Sequence, residues 1–157
     1  MKFLTFFALF FATMSAVASE MVPSTTAQIF ANKDSPTKFY LVVIVENTNK
    51  PELYLALPND VDDRFEILNL IVTAPDGTPI PESDLTKEIK SRDLKGGGIN
   101  LRTINSGKSF KFIIPLSNYF SLPVRGGFTV TGNAKDLITK NEKSLPLEFK
   151  VTKTANE

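Results

Sequence analysis

Residues 145 to 153, LPLEFKVTK, alternate strictly, with Leu147, Phe149 and Val151 on one side and Glu148, Lys150 and Thr152 on the other. A period of two is the pattern of a β-strand with one face in a core and one in water. It recurs along the chain. KSFKFIIPL (108–116) sets Phe110, Phe112, Ile114 and Leu116 on one face. GGFTVTG (126–132) turns Phe128 and Val130 inward and Thr129 and Thr131 outward. INLRTI (99–104) and ELYLAL (52–57) read as strands as well. KFYLVVIVEN (38–47) is almost continuously apolar and β-branched, and reads as a central strand buried on both faces.

The segments between these runs are turn chemistry. Asn47 to Pro51 is a turn, and Pro75-Asp76-Gly77-Thr78-Pro79 closes a hairpin from FEILNLIVTA (65–74) into residues 78 to 81. Residues 82 to 95 fit either one short helix or a strand over Thr86 to Arg92, and Gly96-Gly97-Gly98 interrupts whatever precedes it. Asn105-Ser106-Gly107 reads as a hairpin turn joining INLRTI to KSFKFII. Leu116 to Phe120 reads as a corner where the chain passes between sheets, with the Tyr119 hydroxyl bonded into that corner. The pattern predicts an all-β fold: a single antiparallel, immunoglobulin-like β-sandwich of about seven to nine strands over residues 38–153. Residues 154–157 are a tail. Residues 19–37 are a flexible lead-in with one short strand near Gln28 to Ala31.

The first 18 residues read differently. Lys2 is followed by an apolar run from Phe3 to Met14 and by Ala16-Val17-Ala18, the pattern of a secretory signal peptide cut after Ala18. The run is too short for a membrane span. Export, to the periplasm or the exterior, is therefore expected, with no membrane insertion after cleavage. Removal of residues 1–18 takes away Lys2 and no acid, so 17 basic residues face 17 acidic ones. A neutral chain argues against nucleic acid as a partner.

The chain has no His, no Cys and no Trp. Histidine general bases, Ser-His-Asp triads, Cys nucleophiles and zinc on His or Cys are thereby excluded within it. Gly107-Lys108-Ser109 resembles the end of a phosphate-binding loop, but Arg102 stands where that loop needs its first glycine, and a strand follows instead of a helix. Asn59, Asp60, Asp62 and Asp63 offer oxygen ligands without the glycine and the final Glu of a calcium loop. No catalytic residue, metal or cofactor is expected. Candidate binding loops are Asn59 to Arg64, with Asn59, Asp60, Asp62, Asp63 and Arg64; Lys95 to Asn100, with Lys95, Gly96, Gly97 and Gly98; and Ser117 to Arg125, with Asn118, Tyr119 and Arg125.

From Phe39 to Ala134 the motif order is VVIVENTN, ELYLAL, a strand ending in DGTPIP, then INLRTINSGKSFKFIIPLSNYFSL and GGFTVTG. That order resembles the non-catalytic, β-rich N-terminal propeptide region of deuterolysin-type metallopeptidases and related small bacterial domains. The Leu-Ser-x-Tyr-Phe-x-Leu corner and the Gly-Gly-Phe-Thr-Val strand carry most of the likeness. The family's peptidase domain holds its zinc on histidines, which this chain lacks, so the resemblance implies the fold and not the activity. Such regions assist the folding of a protease or hold it inactive. The reading is a secreted, non-enzymatic module that binds another protein, an extracellular protease among the partners the resemblance implies. The alternative is a structural or surface-associated secreted protein that self-associates or binds envelope or matrix polymer.

Overall fold

In the computed structural model, residues 23–48, 51–58, 65, 67–91, 99–140 and 143–155 are described, without the side chains of Pro58, Ile99 and Asp136. Residues 1–18, expected to be a signal peptide, therefore lie outside the described residues. Among the described residues there are eight strands: β1 (Ser24–Ala31), β2 (Phe39–Glu46), β3 (Leu53–Pro58), β4 (Leu70–Thr73), β5 (Ile99–Ile104), β6 (Ser109–Ile114), β7 (Phe128–Lys140) and β8 (Lys143–Lys153). Helices α1 (Asp84–Ser91) and α2 (Leu116–Tyr119) lie between them, and Phe65 and Ile67 are also helical.

The strands form the antiparallel sandwich that the alternation predicts. One sheet has three strands in the order β1-β2-β6. The other is built on β7, which pairs with β8 along one edge and with β4 and then β3 along the other, β5 lying outside β3. Leu41, Val43 and Val45 from the first sheet and Leu53, Leu55, Val130, Ile138 and Leu147 from the second share one core. Phe39 meets Phe128 edge to face across it, with centroids 5.3 Å apart. The Lys153 ammonium lies 5.4 Å from the Phe39 ring centre, a cation over an aromatic face at the end of the sandwich.

Several elements differ from the sequence reading. INLRTI and SFKFII do not form a hairpin: β5 pairs with β3 in one sheet and β6 with β2 in the other. The turn itself is as read. Lys108 N–H donates to the Asn105 carbonyl at 3.0 Å, and Gly107 has φ +69°. Its Gly107 N–H donates to the Asn47 carbonyl at 2.8 Å, while Asn47 N–H donates to the Lys108 carbonyl at 2.9 Å. That is a β-bulge with glycine in the left-handed region, and its partner is the end of β2.

FEILNLIVTA was expected to be one strand, but only Leu70–Thr73 is extended. Phe65 and Ile67 are helical, Leu68 N–H donates to the Phe65 carbonyl, and Phe65 and Leu68 are buried. Asn69 then takes φ +44°, a conformation that Asn tolerates better than most residues, and the strand starts after it. The Pro75–Pro79 turn closes its short hairpin as expected: Ala74 N–H donates to the Thr78 carbonyl and Ile80 N–H to the Val72 carbonyl.

β2 was expected to be buried on both faces. It alternates instead, with Phe39, Leu41, Val43 and Val45 buried and Tyr40, Val42 and Ile44 only half-buried. The reason is that its sheet has a single core-facing side. β1 runs from Ser24, longer than the segment expected near Gln28, and β7 continues to Lys140, well past the expected end at residue 132. Of the two forms open for residues 82 to 95, the helix is the one that forms, as α1.

Candidate functional site

The corner after β6 is the passage from one sheet to the other, as its sequence suggests. Pro115 ends β6, α2 makes one turn, and Phe120 bridges to Glu82 ahead of β7. α1 is docked onto this corner by polar bonds. Ser83 Oγ accepts the Thr86 N–H at 3.3 Å, an N-terminal cap, and donates to the Asn118 carbonyl at 2.6 Å. Thr86 Oγ1 donates to the Tyr119 carbonyl at 2.6 Å, and Ser83 N–H donates to the same carbonyl at 2.9 Å. Ser117 Oγ accepts the Phe39 N–H at 2.8 Å and so ties the corner to the start of β2.

Tyr119, named in the third candidate loop and also read as bonded into the corner, lies within the core here. Its side chain is buried at 3% exposure, and its ring stacks on Phe65 with centroids 4.0 Å apart. Asn118 and Arg125 are exposed. Asn59 to Arg64 and Lys95 to Gly98 lie outside the described residues, but the strand ends that carry those two loops are placed. Pro58 at the end of β3 is paired with Ile99 at the start of β5, so the first loop leaves where the second returns. Phe65, the residue after the acidic loop, is the one stacked on Tyr119. The anchors of all three loops thus meet on one side of the sandwich, which sequence alone could not establish.

On that same side, Phe65, Tyr119 and residues 110 to 115 line a pocket of about 80 Å³. It runs along β6, the outermost strand of the three-stranded sheet. The β2–β6 ladder follows from the Asn47–Lys108 bond. Counting in steps of two, residues 110, 112 and 114 turn their backbone groups to β2, and Ser109, Lys111 and Ile113 turn theirs outward. Lys108 and Lys111 are exposed, and neither belongs to the two ion pairs of the described residues, Lys87–Asp84 and Lys90–Glu82. The sequence reading missed this strand edge. The signal available to it was Lys111 within an otherwise apolar run, since a lysine on a strand is a common guard of an open edge.

Among the described residues there is no group of three or more potential acidic metal ligands. Among the described residues two carboxyls are shifted; both are exposed and neither lines the pocket. Asp76 is held below its ordinary value by the Thr78 N–H, and Asp84 by a hydrogen bond from Lys87. No described helix is long and apolar enough to cross a membrane.

Neither a protein-family model nor a curated protein matches this sequence. Solved structures do. A Northeast Structural Genomics Consortium target is 8% identical with a TM-score of 0.40, over 82% of this chain and 83% of that one. A protein from Archaeoglobus fulgidus is 7% identical with a TM-score of 0.35, over 87% of this chain and 99% of that one. At such values neither likeness carries a functional argument.

Proposed function

We propose that this chain is an exported, non-enzymatic module that binds another protein through the side of the sandwich where its three loops are anchored. The observation that carries the reading is the convergence of those anchors: the Pro58–Ile99 pairing and the Phe65–Tyr119 stack. Loops held on a rigid sandwich are a common recognition surface. The resemblance to a metallopeptidase propeptide region makes an extracellular protease the first partner class to test. Titration of the chain against zinc, serine and cysteine endopeptidases tests that version. Inhibition that is lost when Asn118 and Arg125 are replaced by Ala supports it, and no inhibition in any class removes it.

A second reading rests on the outer face of the three-stranded sheet. The β1–β2–β6 register sets Phe30 beside Tyr40, and Val42 beside Ile113. Phe30 is 49% and Ile113 57% exposed. A contiguous apolar patch of this kind marks an interaction surface. It favours a surface-associated protein that self-associates or packs on envelope or matrix polymer. A concentration-dependent oligomer in sedimentation, lost in Phe30→Ser, supports this alternative.

A further inference from the structure

We propose that the edge of β6 that no described strand covers binds an extended segment of the partner protein by strand addition, with one apolar side chain of that segment in the pocket and acidic residues beside it. The inference rests on the binding-module reading and names the mode of binding.

Three observations define the guest. Outward backbone groups of Ser109, Lys111 and Ile113 offer a ladder, and an extended backbone is the structure that completes one. The pocket between that edge and the Phe65–Tyr119 stack holds about 80 Å³. That lies between the roughly 10–15 Å³ that one water needs and the roughly 150 Å³ of a cavity that takes benzene. It suits one aliphatic side chain, and its walls include Phe110, Phe112, Ile114 and the two stacked rings, with Lys111 at its lining. The third observation is charge. Lys108, just before β6, and Lys111 within it are exposed and have no ion-pair partner among the described residues, so a guest with Glu or Asp at flanking positions meets complementary charge.

The same lysine disfavours a second copy of this chain as the occupant. A two-fold pairing of β6 with itself centred on Lys111 sets Lys111 against its own counterpart, and like charges directly opposite are destabilising.

The test uses the full chain and a fluorescein-labelled peptide, Thr-Glu-Val-Thr-Leu-Thr-Val-Glu-Thr, read by fluorescence polarisation at low salt. Saturable binding is expected, weakened about tenfold when both Glu are Lys and also by Lys111→Glu. Ile113→Pro, which removes an outward N–H, should abolish binding, as should N-methylation of alternate peptide amides. The peptide modification keeps the test valid if the proline variant fails to fold. Absence of saturable binding, or binding indifferent to N-methylation, overturns the proposal. So does a dimer that Ile113→Pro dissociates, because the edge would then belong to a second copy. Protease inhibition that survives Lys111→Glu overturns strand addition at β6 while leaving the binding-module reading in place. Loss of both inhibition and peptide binding removes both.

Discussion

Asn47 Nδ2 donates at 2.8 Å to the carbonyl of Ile104, joining the end of β2 in one sheet to the end of β5 in the other. The same amide donates to the Pro51 carbonyl at 3.0 Å, and the side chain is fully buried. With the Gly107 and Lys108 backbone bonds to Asn47, one residue holds three chain segments at this end of the sandwich. A buried polar group that loses its partners costs far more than the bond itself contributes. Asn47→Ala is therefore expected to lower the unfolding free energy by about 2–3 kcal/mol. Asn47→Asp should be at least as costly, since a carboxylate has no proton to donate and faces two carbonyl oxygens. Urea titration of both variants followed by circular dichroism measures the difference.

Gly132 and Phe149 are register partners on β7 and β8, and the Phe149 ring lies over the glycine. A Cβ at residue 132 would overlap that ring. Gly132→Ala is expected to destabilise by about 1–3 kcal/mol through overpacking. Trimming the ring in Gly132→Ala/Phe149→Leu should recover part of that loss. The double mutant should then be more stable than the sum of the single changes predicts, the mark of two residues in contact. Additive effects would show that the ring moves aside freely.

Gly107 gives a conformational test without a steric one. Its φ is +69° and nothing lies within 4 Å of where its Cβ would be. The cost of a substitution there is therefore the cost of the left-handed backbone alone. Gly107→Ala should lose about 1–2 kcal/mol and Gly107→Asn distinctly less, with Gly107→Val the worst of the three. Thermal unfolding of the series gives the order. Equal losses for Ala and Asn would mean that the turn relaxes to another form.

Acid acts on two exposed carboxyls. The Thr78 N–H bonds Asp76 Oδ1 at 2.9 Å and stabilises the charged form, and Lys87 does the same for Asp84 at 2.9 Å. Both fold with a pKa lowered from 3.8, so each contribution is present above that value and fades as the pH falls through the lower folded one. Carboxyl NMR titration should place both midpoints below 3.8. Asp76→Asn should flatten the dependence of stability on pH in that acid range, and at neutral pH it should lower stability by a constant amount without changing the slope. A midpoint at or above 3.8 for Asp76 would show that the Thr78 bond is not made in solution.

The alternation of β6, β8 and the first part of β7 was legible because each of those segments turns one side to a core. What it could not convey was pairing across the chain. The Asn105–Lys108 turn has hairpin chemistry, yet the residue bulged against it is Asn47, some sixty positions away. Local turn residues fix the bend and are silent on which strand receives it. Period two also runs without a break through Leu68, Leu70 and Val72, so the helical start at Phe65 and Ile67 was hidden within an apparent strand. Its signals were Phe65 and Leu68 three apart, both buried, and Asn69. The apolar outer side of β2 misled for a related reason. Tyr40, Val42 and Ile44 have the composition of a buried face, and only the sheet order shows that face to be open. The candidate site was legible in part. Its loops were named, while their convergence depends on the Pro58–Ile99 pairing and the Phe65–Tyr119 stack, both of them non-local.

Thr86 tests whether α1 holds the corner that supports this site. Its hydroxyl is buried and donates at 2.6 Å to the Tyr119 carbonyl, which also takes the Ser83 N–H. Thr86→Val preserves shape and removes the donor. The carbonyl keeps one partner, so the loss should be about 1–2 kcal/mol rather than the larger cost of a wholly orphaned group. Thr86→Ser keeps the donor and gives up a buried methyl, about 1 kcal/mol by the same reasoning that assigns some 0.8 to a buried CH₂. The two variants therefore separate bond from packing. Hydrogen exchange at the Tyr119 and Phe120 amides should quicken in Val and remain near wild type in Ser if the bond fixes the corner. Equal quickening in both would assign the role to the methyl group and to apolar contact alone.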